Sequence, residues 1–276
     1  AEDRRLDLVA EIDGRVVGFC WATLDREVET PGSVRASVIV EAASRRRGVG
    51  RALLHRVLDH CVDIDAKTIT GKFGSEEGAA FAGKHGFAPS RTERISHMSL
   101  DHIPPQPVAP EGIRLASLRE VGDLHPLHEL DSAVVADIPA DEPWLPLPFE
   151  DWKRIHADDP RLDYDCTVLA FAGDQPVALA WIDRVDARAW SGLTGTHPDW
   201  RGRGLAKLVK TAALRRARER GATDAYTNND ETNAAMLAVN TWLGYRPHAE
   251  QRTCVRRLLF GDPSGLGGAT YSGGHS

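Results

Sequence analysis

Hydrophobic positions along the chain follow two periods, and each period marks a different kind of element. Apolar residues that alternate or run together over a few positions predict strands, and apolar residues spaced by three and four predict helices. In the first half the predicted elements are strands at Asp7–Glu11, Arg15–Ala22, 34–40 and Thr68–Thr70, helices at 52–61 and Gly78–His85, and closing strands at Phe87 and Ile95–Leu100. Asp13–Gly14 is a typical hairpin turn, and Gly86 is a typical helix stop.

The same order of elements recurs in the second half. The predicted elements are a hairpin of Val168–Ala172 and Pro176–Trp181 around Gly173–Asp174, strands at Leu193–Thr196 and Ala225–Thr227, and helices at 205–217 and Asn233–Leu243, the last followed by Gly244. Helical spacing is also present near 117–131 and 149–157, ahead of this hairpin.

Landmarks at similar offsets indicate an internal duplication. The hairpin glycine, the motif arginine and the helix-stop glycine are Gly14, Arg45 and Gly86 in the first copy, and Gly173, Arg201 and Gly244 in the second. About 50 residues (113–164) precede the second hairpin, whereas few precede the first. Either the first copy lacks its opening strand and helices, or the sequence starts inside that domain.

A proline-rich segment separates the two copies. Residues 103–112 contain four prolines in ten positions, which excludes a helix or a central strand and predicts a stiff, extended linker. We therefore predict a first domain over 1–102, a linker over 103–112, a second domain over 113–260 and a flexible tail over 261–276.

Composition narrows the class of protein. The 276 residues are 42% hydrophobic and 27% charged, as in soluble globular proteins, and the net charge of −6 argues against nucleic-acid binding. No apolar run approaches the roughly 18 residues of a membrane span, and no signal peptide is visible. Four widely spaced cysteines without a C-x-x-C pair argue against a zinc site or a disulfide framework. We expect a cytoplasmic monomer or homodimer without a metal.

Two glycine- and arginine-rich turns carry the strongest chemical signal. Arg45–Arg51 follows the strand that ends at Val40, Arg201–Lys207 follows Thr194–Thr196, and each turn leads into a predicted helix. Such a turn directs backbone N–H groups and the positive end of a helix dipole at one point, which suits a pyrophosphate. The chain lacks the G-x-x-x-x-G-K-[ST] and G-x-G-x-x-G patterns of other nucleotide sites. An ordinary solvated connection is the alternative for each turn.

Both copies carry an R-x-x-G-x-G/A turn and follow their last helix with G-F or G-Y. The residues are Arg45, Gly48, Gly50 and Gly86-Phe87 in the first copy, and Arg201, Gly204, Ala206 and Gly244-Tyr245 in the second. This ordered set resembles the GCN5-related N-acetyltransferase (GNAT) superfamily. The stretch Asn229–Pro247 is similar to the C-terminal half of actinobacterial tandem acetyltransferases, a group that includes mycothiol synthase. The resemblance implies two tandem α/β domains, each with a mixed sheet that is splayed open at its middle and holds acetyl-CoA in the gap.

The resemblance also implies which residues would hold acetyl-CoA. Backbone N–H groups of the two turns would bind the pyrophosphate, and those of residues 38–40 and 194–196 would stabilise the oxyanion of acetyl transfer. Asn229 and Asn233 would contact the pantetheine amides, although Asn233 also suits a helix N-cap. The predicted cofactor-binding residues are Val38, Ile39, Val40, Arg45, Arg46, Arg47, Gly48, Val49, Gly50 and Arg51 in the first copy, and Gly195, Thr196, Arg201, Gly202, Arg203, Gly204, Leu205, Ala206, Lys207, Asn229 and Asn233 in the second.

Many members of this superfamily place a tyrosine four residues before the closing glycine, where it protonates the leaving thiolate. This chain has Ala82 and Asn240 there. Asn240 can donate a hydrogen bond to sulfur, with Tyr245 or water as the proton source, so Asn240 and Tyr245 are the predicted catalytic residues. A helix-packing amide is the alternative for Asn240. Further candidates, each with a structural role as its alternative, are His197, Glu129 and Asp131 as a base, and Trp144, Trp152 and Trp190 in an acceptor pocket.

These features predict an acetyl-CoA-dependent N-acetyltransferase that acts on a primary amine, with a small molecule as the first choice of acceptor. The second copy is the expected catalyst because it is complete and has Asn240 where the first copy has Ala82. The alternative is an acyl-CoA-binding or scaffolding protein without turnover, which the absence of a tyrosine in both copies motivates. An aminoglycoside-like amine, a mycothiol precursor and a protein N-terminus all stay open as acceptors.

Overall fold

A computed structural model describes residues 4–258 of the chain. The predicted tail over 261–276 lies outside these described residues. Contacts divide them into two compact units, the first formed by 4–25, 31–71 and 255–258 and the second by 26–30 and 72–254. No helix in residues 4–258 is long and apolar enough to cross a membrane.

The elements follow the predicted order in both halves. Those of the first half are β1 (Leu6–Ile12), β2 (Arg15–Leu24), β3 (Ser33–Val40), α1 (Val49–Asp63), β4 (Thr68–Phe73), α2 (Glu76–Lys84) and β5 (Ala88–Ser99). Those of the second half are β6 (Ile113–Ser117), α3 (His125–Val135), α4 (Phe149–Trp152), β7 (Val168–Ala172), β8 (Gln175–Val185), β9 (Arg188–Thr196), α5 (Leu205–Glu219), β10 (Asp224–Asp230), α6 (Ala234–Leu243) and β11 (Arg246–Arg257). The mixed sheet and the helices confirm the predicted α/β fold.

The first unit is built around the order β1-β2-β3-β4. Asp13 and Gly14 both have positive φ (52° and 74°), which is the geometry of a two-residue hairpin turn and confirms the prediction there. β3 pairs with β4 in parallel, and the other neighbours are antiparallel. α1 buries an apolar stripe of Leu53, Leu54 and Val57 in this unit.

The second unit has the order β11-β5-β10-β9-β8-β7-β6. α5 covers one face over a core that includes Val168, Ala180 and Ala225. α3 and α4 cover the other face over Leu179 and Trp181. Side chains that alternate along β8, β9 and β10 therefore reach two separate cores.

β5 belongs to the second unit although the sequence places it in the first predicted domain. It runs antiparallel to β10, from Ser99 opposite Asp224 to Glu93 opposite Asp230. This pairing provides hydrogen-bond partners for the backbone groups on the edge of β10 that faces away from β9. The predicted boundaries at 103–112 describe the repeats of the sequence and stay a prediction.

The structure corrects several predicted bounds. α2 begins two residues early because the Ser75 hydroxyl accepts a hydrogen bond from the Gly78 N–H (3.1 Å). The helix expected from residue 117 starts instead at His125, whose N–H donates to the Asp123 carboxylate (3.0 Å). The two closing strands of the first half are the single strand β5, α4 continues as one π-helical turn at Lys153–Ala157, and β11 had no predicted counterpart.

Candidate functional site

β9 and β10 open a gap in the sheet of the second unit. They pair in parallel only from Arg188 opposite Asp224 to Trp190 opposite Tyr226, although both strands continue. At the point of separation the Thr227 hydroxyl donates to the Ser191 carbonyl (2.9 Å). β3 and β4 likewise pair over three residues in the first unit. Both copies thus show the splayed strands that the resemblance to the GNAT superfamily implied.

The orientation of the β9 peptide groups determines which N–H groups face this gap. The His197 N–H donates to the Val177 carbonyl of the neighbouring chain segment (2.9 Å). Because successive peptide groups point to opposite edges of a strand, the Gly195 N–H also faces β8. The N–H groups of Thr194 and Thr196 therefore face the gap.

The first copy has the same arrangement on β3. The Glu41 N–H donates to the Val17 carbonyl (2.9 Å), so the Ile39 N–H faces β2. The N–H groups of Val38 and Val40 face away from β2, toward the side where β4 departs. Of the predicted oxyanion donors, Val38, Val40, Thr194 and Thr196 thus have the orientation that this role requires.

The turn between β9 and α5 forms an anion cradle from its backbone. Gly202 and Gly204 have φ of 75° and 77°, a left-handed conformation that favours glycine, and Gly204 is the N-cap of α5. A Cβ at either position would meet no atom within 4 Å, so the space in front of the turn is open. The first helical hydrogen bond runs from the Leu208 N–H to the Gly204 carbonyl (3.1 Å). The preceding N–H groups of α5 therefore have no acceptor within the helix.

The turn of the first copy repeats this backbone closely. Arg46 and Gly48 have φ of 61° and 87°, and Gly48 is the N-cap of α1. The Ala52 N–H donates to the Gly48 carbonyl (3.0 Å). Both copies thus have the local geometry of a phosphate cradle.

The first arginine of each turn fixes the turn to the preceding strand. Arg45 Nε donates to the Val40 carbonyl (3.3 Å), and Arg201 Nε donates to the Thr196 carbonyl (3.2 Å). Arg201 also pairs with Asp137. Arg46, Arg47, Arg51 and Arg203 are exposed. Arg203 also has a local contact, since its Nη2 donates to the Asp199 carbonyl (3.3 Å) and its guanidinium lies 4.4 Å from the centre of the Trp200 ring. All of these arginines lie at the surface, where an anion can reach them.

A buried polar chain lies between α5, α6 and β10. Lys210 Nζ donates to Asn240 Oδ1 (2.8 Å), and Asn240 Nδ2 donates to Asn229 Oδ1 (2.6 Å). Lys210 is 0% exposed and Asn240 is 3% exposed. The sequence indicates both asparagines but not Lys210, whose only signal is a lysine on an otherwise apolar helix face.

Two other predicted residues of this region have clear surroundings. The Asn233 side chain accepts from the Met236 N–H (3.1 Å), so Asn233 is the N-cap of α6. Tyr245 is buried, and its hydroxyl has no hydrogen-bond partner among residues 4–258. Burial raises the pKa of Tyr245, which keeps its proton in place. In the first copy Ala82 is buried in α2 and offers no polar group.

The donors and acceptors around the gap fit an amide-rich thioester such as acetyl-CoA. The Thr194 and Ser191 hydroxyls are buried and have no hydrogen-bond partner within residues 4–258. Unsatisfied buried hydroxyls are costly, and a ligand with amide groups would supply their partners. At the end of the gap, the cradle at Gly202 and Gly204 has the open space that a diphosphate needs.

A cavity of about 590 Å³ opens on the face of the same sheet that is opposite to α5. It lies at the last paired residues of β9 and β10. Trp190 and Tyr226 stack there with ring centroids 6.3 Å apart. Asp183, Arg161 and His248 also line it. Burial raises the pKa of Asp183, while Arg161 lowers it. A carboxylate among aromatic rings suits a cationic or amine-bearing ligand.

The remaining candidates lie away from the gap, either at structural positions or in and around the core that α3 and α4 cover. His197 accepts a hydrogen bond from the Asp199 N–H through Nδ1 (3.3 Å). Trp152 is 2% exposed in the core under α3 and α4, and Glu129 is exposed on α3. Asp131 is 8% exposed, and burial raises the pKa of Asp131 to about 6. Of the three tryptophans, only Trp190 lines the cavity.

Comparison with protein families assigns both copies to one group. Residues 5–89 match the model described as "Acetyltransferase (GNAT) domain", and residues 127–245 match the model described as "Acetyltransferase (GNAT) family".

Curated relatives and solved structures agree with these matches. A mycothiol acetyltransferase of Actinosynnema mirum is 29% identical over 86% of this chain and 79% of the relative. One of Catenulispora acidiphila is 27% identical over 82% of this chain and 73% of the relative. A tandem GNAT protein from the clavulanic acid biosynthesis pathway has a TM-score of 0.71 at 22% identity, covering 93% of this chain and 84% of that one. A GCN5-related N-acetyltransferase from Sphaerobacter thermophilus has a TM-score of 0.69 at 20% identity, covering 89% and 78%.

Proposed function

The chain belongs to the GNAT family of N-acetyltransferases and carries two of its domains in tandem, and on this basis we propose that its second copy transfers the acetyl group of acetyl-CoA to a primary amine of a small molecule. The observation that carries the proposal is the contrast between the copies. Both have the cradle and the diverging strands, but Asn240 joins the polar chain of the second, and Ala82 stands at its place in the first.

Different residues around the β9–β10 gap would bind different parts of acetyl-CoA. Acetyl-CoA would supply the acetyl group as a thioester. The N–H groups at the start of α5 would hold its pyrophosphate, and Thr194 and Thr196 would present backbone donors to the thioester oxygen. Asn240 keeps one N–H beyond the bond that it donates to Asn229, which suits a contact with the leaving sulfur. Tyr245 or water as the proton source stays a prediction.

The cavity beside Trp190 and Tyr226 favours a small molecule as the acceptor. Its volume of about 590 Å³ lies in the range of pockets for small molecules. It adjoins the pair Trp190–Tyr226, where β9 and β10 begin to separate. An amine bound there and a thioester bound in the gap would approach each other from opposite faces of the sheet. Because curated relatives are named mycothiol acetyltransferases, a mycothiol precursor is the first acceptor to include in a panel of amines.

The proposal is tested by blocking each cradle in turn with a bulky residue. Gly204→Trp is expected to reduce amine-dependent release of CoA by at least about tenfold, because the indole would occupy the space in front of the α5 N-terminus. Gly48→Trp is expected to leave this rate largely unchanged. Both changes occur at positive φ with open space around the glycine, so the backbone strain is comparable.

Gly221→Trp provides the control for strain at the other end of α5, since Gly221 also has a positive φ (92°) and open surroundings. Loss of turnover in Gly48→Trp alone would assign the chemistry to the first copy instead. Binding of acetyl-CoA without turnover on any amine of the panel would favour an acyl-CoA-binding role. A cytoplasmic location, a monomeric or homodimeric state and the absence of nucleic-acid binding stay predictions.

A further inference from the structure

Lys210 is an isolated cation inside the second unit. It lies on α5 with Leu208, Val209 and Leu214, all of them buried, and its side chain is 0% exposed. Its Nζ lies 2.8 Å from Asn240 Oδ1 and 5.3 Å from the centre of the Tyr245 ring. Within residues 4–258 it forms no ion pair, and burial lowers the pKa of Lys210 to about 7. Holding such a group out of water destabilises the fold, so stability does not explain its presence.

The chemistry of lysine determines the orientation of two amides. The Lys210 amine faces Asn240 as a hydrogen-bond donor, so Asn240 must turn its carbonyl oxygen toward it. The Asn240 amide nitrogen then faces Asn229, which must turn its own oxygen toward α6. The nitrogen of Asn229 is left with both of its N–H groups, and it donates to no protein acceptor among residues 4–258.

Asn229 forms part of the wall of the β9–β10 gap. It lies three residues beyond the last pair, Tyr226–Trp190, which corresponds to about 10 Å along β10. On its other edge β10 pairs with β5, where Asn229 is opposite Arg94. Asn229 is half-buried, as a residue that lines a cleft would be.

We propose that Lys210 is a positioning residue that acts through Asn240 to turn the N–H groups of Asn229 toward a carbonyl oxygen of the acyl-pantetheine arm in the gap. The inference rests on the proposed binding of acetyl-CoA to the second copy. Without Lys210, the Asn240 amide has no fixed orientation, and the donors of Asn229 are no longer held ready for a ligand.

The test measures acetyl-CoA binding by calorimetry and thermal unfolding on the same full-length variants. Lys210→Met is expected to weaken binding by about tenfold, the effect of one well-oriented hydrogen bond. Its unfolding midpoint is expected to change little, because removal of the buried cation offsets the cost of leaving Asn240 Oδ1 without a donor. Arg218→Met, a cation-to-methionine change at an exposed position of α5, is the matched control and should change neither quantity.

Two further variants separate positioning from packing. Lys210→Gln keeps an N–H donor without the charge and is expected to bind acetyl-CoA more tightly than Lys210→Met. Asn229→Ala should weaken binding in the wild-type background and add little in the Lys210→Met background, because the same contact is already lost.

Two outcomes would overturn the inference and leave the proposed function intact. One is a fall in the unfolding midpoint of Lys210→Met that accounts for its loss of affinity for acetyl-CoA. The other is a double variant in which the losses of affinity from Lys210→Met and Asn229→Ala add in full. If the wild-type chain binds acetyl-CoA only through the cradle that Gly48→Trp blocks, the proposed function itself fails.

Discussion

Two ionisable side chains of the second unit, Lys210 and Asp131, lie almost completely out of water on opposite faces of the sheet. Burial shifts their pKa values in opposite directions because it disfavours the charged form of each group. Asp131 differs from Lys210 in having charged neighbours. His156 lowers the pKa of Asp131, and Glu27 raises it.

Asp131 gives the second unit a specific dependence of stability on pH. Its pKa is 3.8 in the unfolded chain and about 6 in the fold, so the stability that it contributes is complete below pH 3.8 and is lost as the pH rises through 6. Asp131→Asn removes this loss. From pH 5 to pH 7.5 we expect the free energy of unfolding of the variant to rise relative to that of the wild type by about 1–2 kcal/mol, measured in urea.

Glu129→Gln is the matched control, because Glu129 lies on the same helix but is exposed. Its difference from the wild type should not change with pH. A constant difference between Asp131→Asn and the wild type over the same range would show that Asp131 titrates as an ordinary surface carboxyl.

Among the elements, α3 packs closely on β9 beside the gap. A Cβ at Gly195 would lie 2.7 Å from the Val134 side chain, a distance that real contacts do not reach. Gly195 therefore allows α3 to lie on the sheet beside the gap. Its N–H faces β8, so its predicted place among the cofactor-binding residues has no direct support from backbone orientation.

Gly195→Ala is expected to destabilise the second unit by about 1–3 kcal/mol, because the added methyl forces Val134 or the backbone to move. Adding Val134→Ala should recover part of this loss by making room. Chemical unfolding of the single and double variants measures both effects.

Gly192→Ala tests whether the effect is specific to this contact. A Cβ at Gly192 would meet only Trp181, at 3.8 Å or more, on the same strand pair. Its effect should be well below that of Gly195→Ala. If Val134→Ala does not suppress the cost of Gly195→Ala, close packing of α3 is not the reason for this glycine.

At the scale of the whole second unit, alternation along the strands separates two binding surfaces. Tyr226 and Trp190 reach the cavity on one face, and Asn229 reaches the polar chain of α5 and α6 on the other. Because β9 and β10 separate between these residues, the gap connects the two surfaces. This arrangement motivates a prediction for the acceptor that is independent of the cofactor.

Asp183→Asn is expected to raise KM for the amine acceptor by about 10- to 100-fold, the range for loss of a charged hydrogen bond. KM for acetyl-CoA should stay within about twofold. Asp186→Asn is the control, since Asp186 is exposed on the same hairpin and its positive φ (53°) suits asparagine. Equal changes in both KM values for Asp183→Asn would place the acceptor elsewhere.

The sequence predicts those parts of this protein that depend on neighbours in the chain. Turn glycines, helix stops and strand alternation are local, and they indicate the hairpins, α1, α5, α6 and both cradles. β11 was not predicted, because most of its first half is exposed and polar and shows no apolar pattern. Its position depends instead on pairing with neighbouring strands.

The sequence by itself determined that the chain is a duplication, that each copy has a glycine turn before a helix, and that the fold is that of an N-acetyltransferase. Only the tertiary structure decided that β5 joins β10, that Lys210 donates to Asn240 and Asn240 to Asn229, and that Asp183 lies beside Trp190 and Tyr226. Turns and caps are fixed by residues a few positions apart, and their signals are visible along the chain. A buried cation or a cavity is formed by residues far apart in sequence, which folding alone brings into contact.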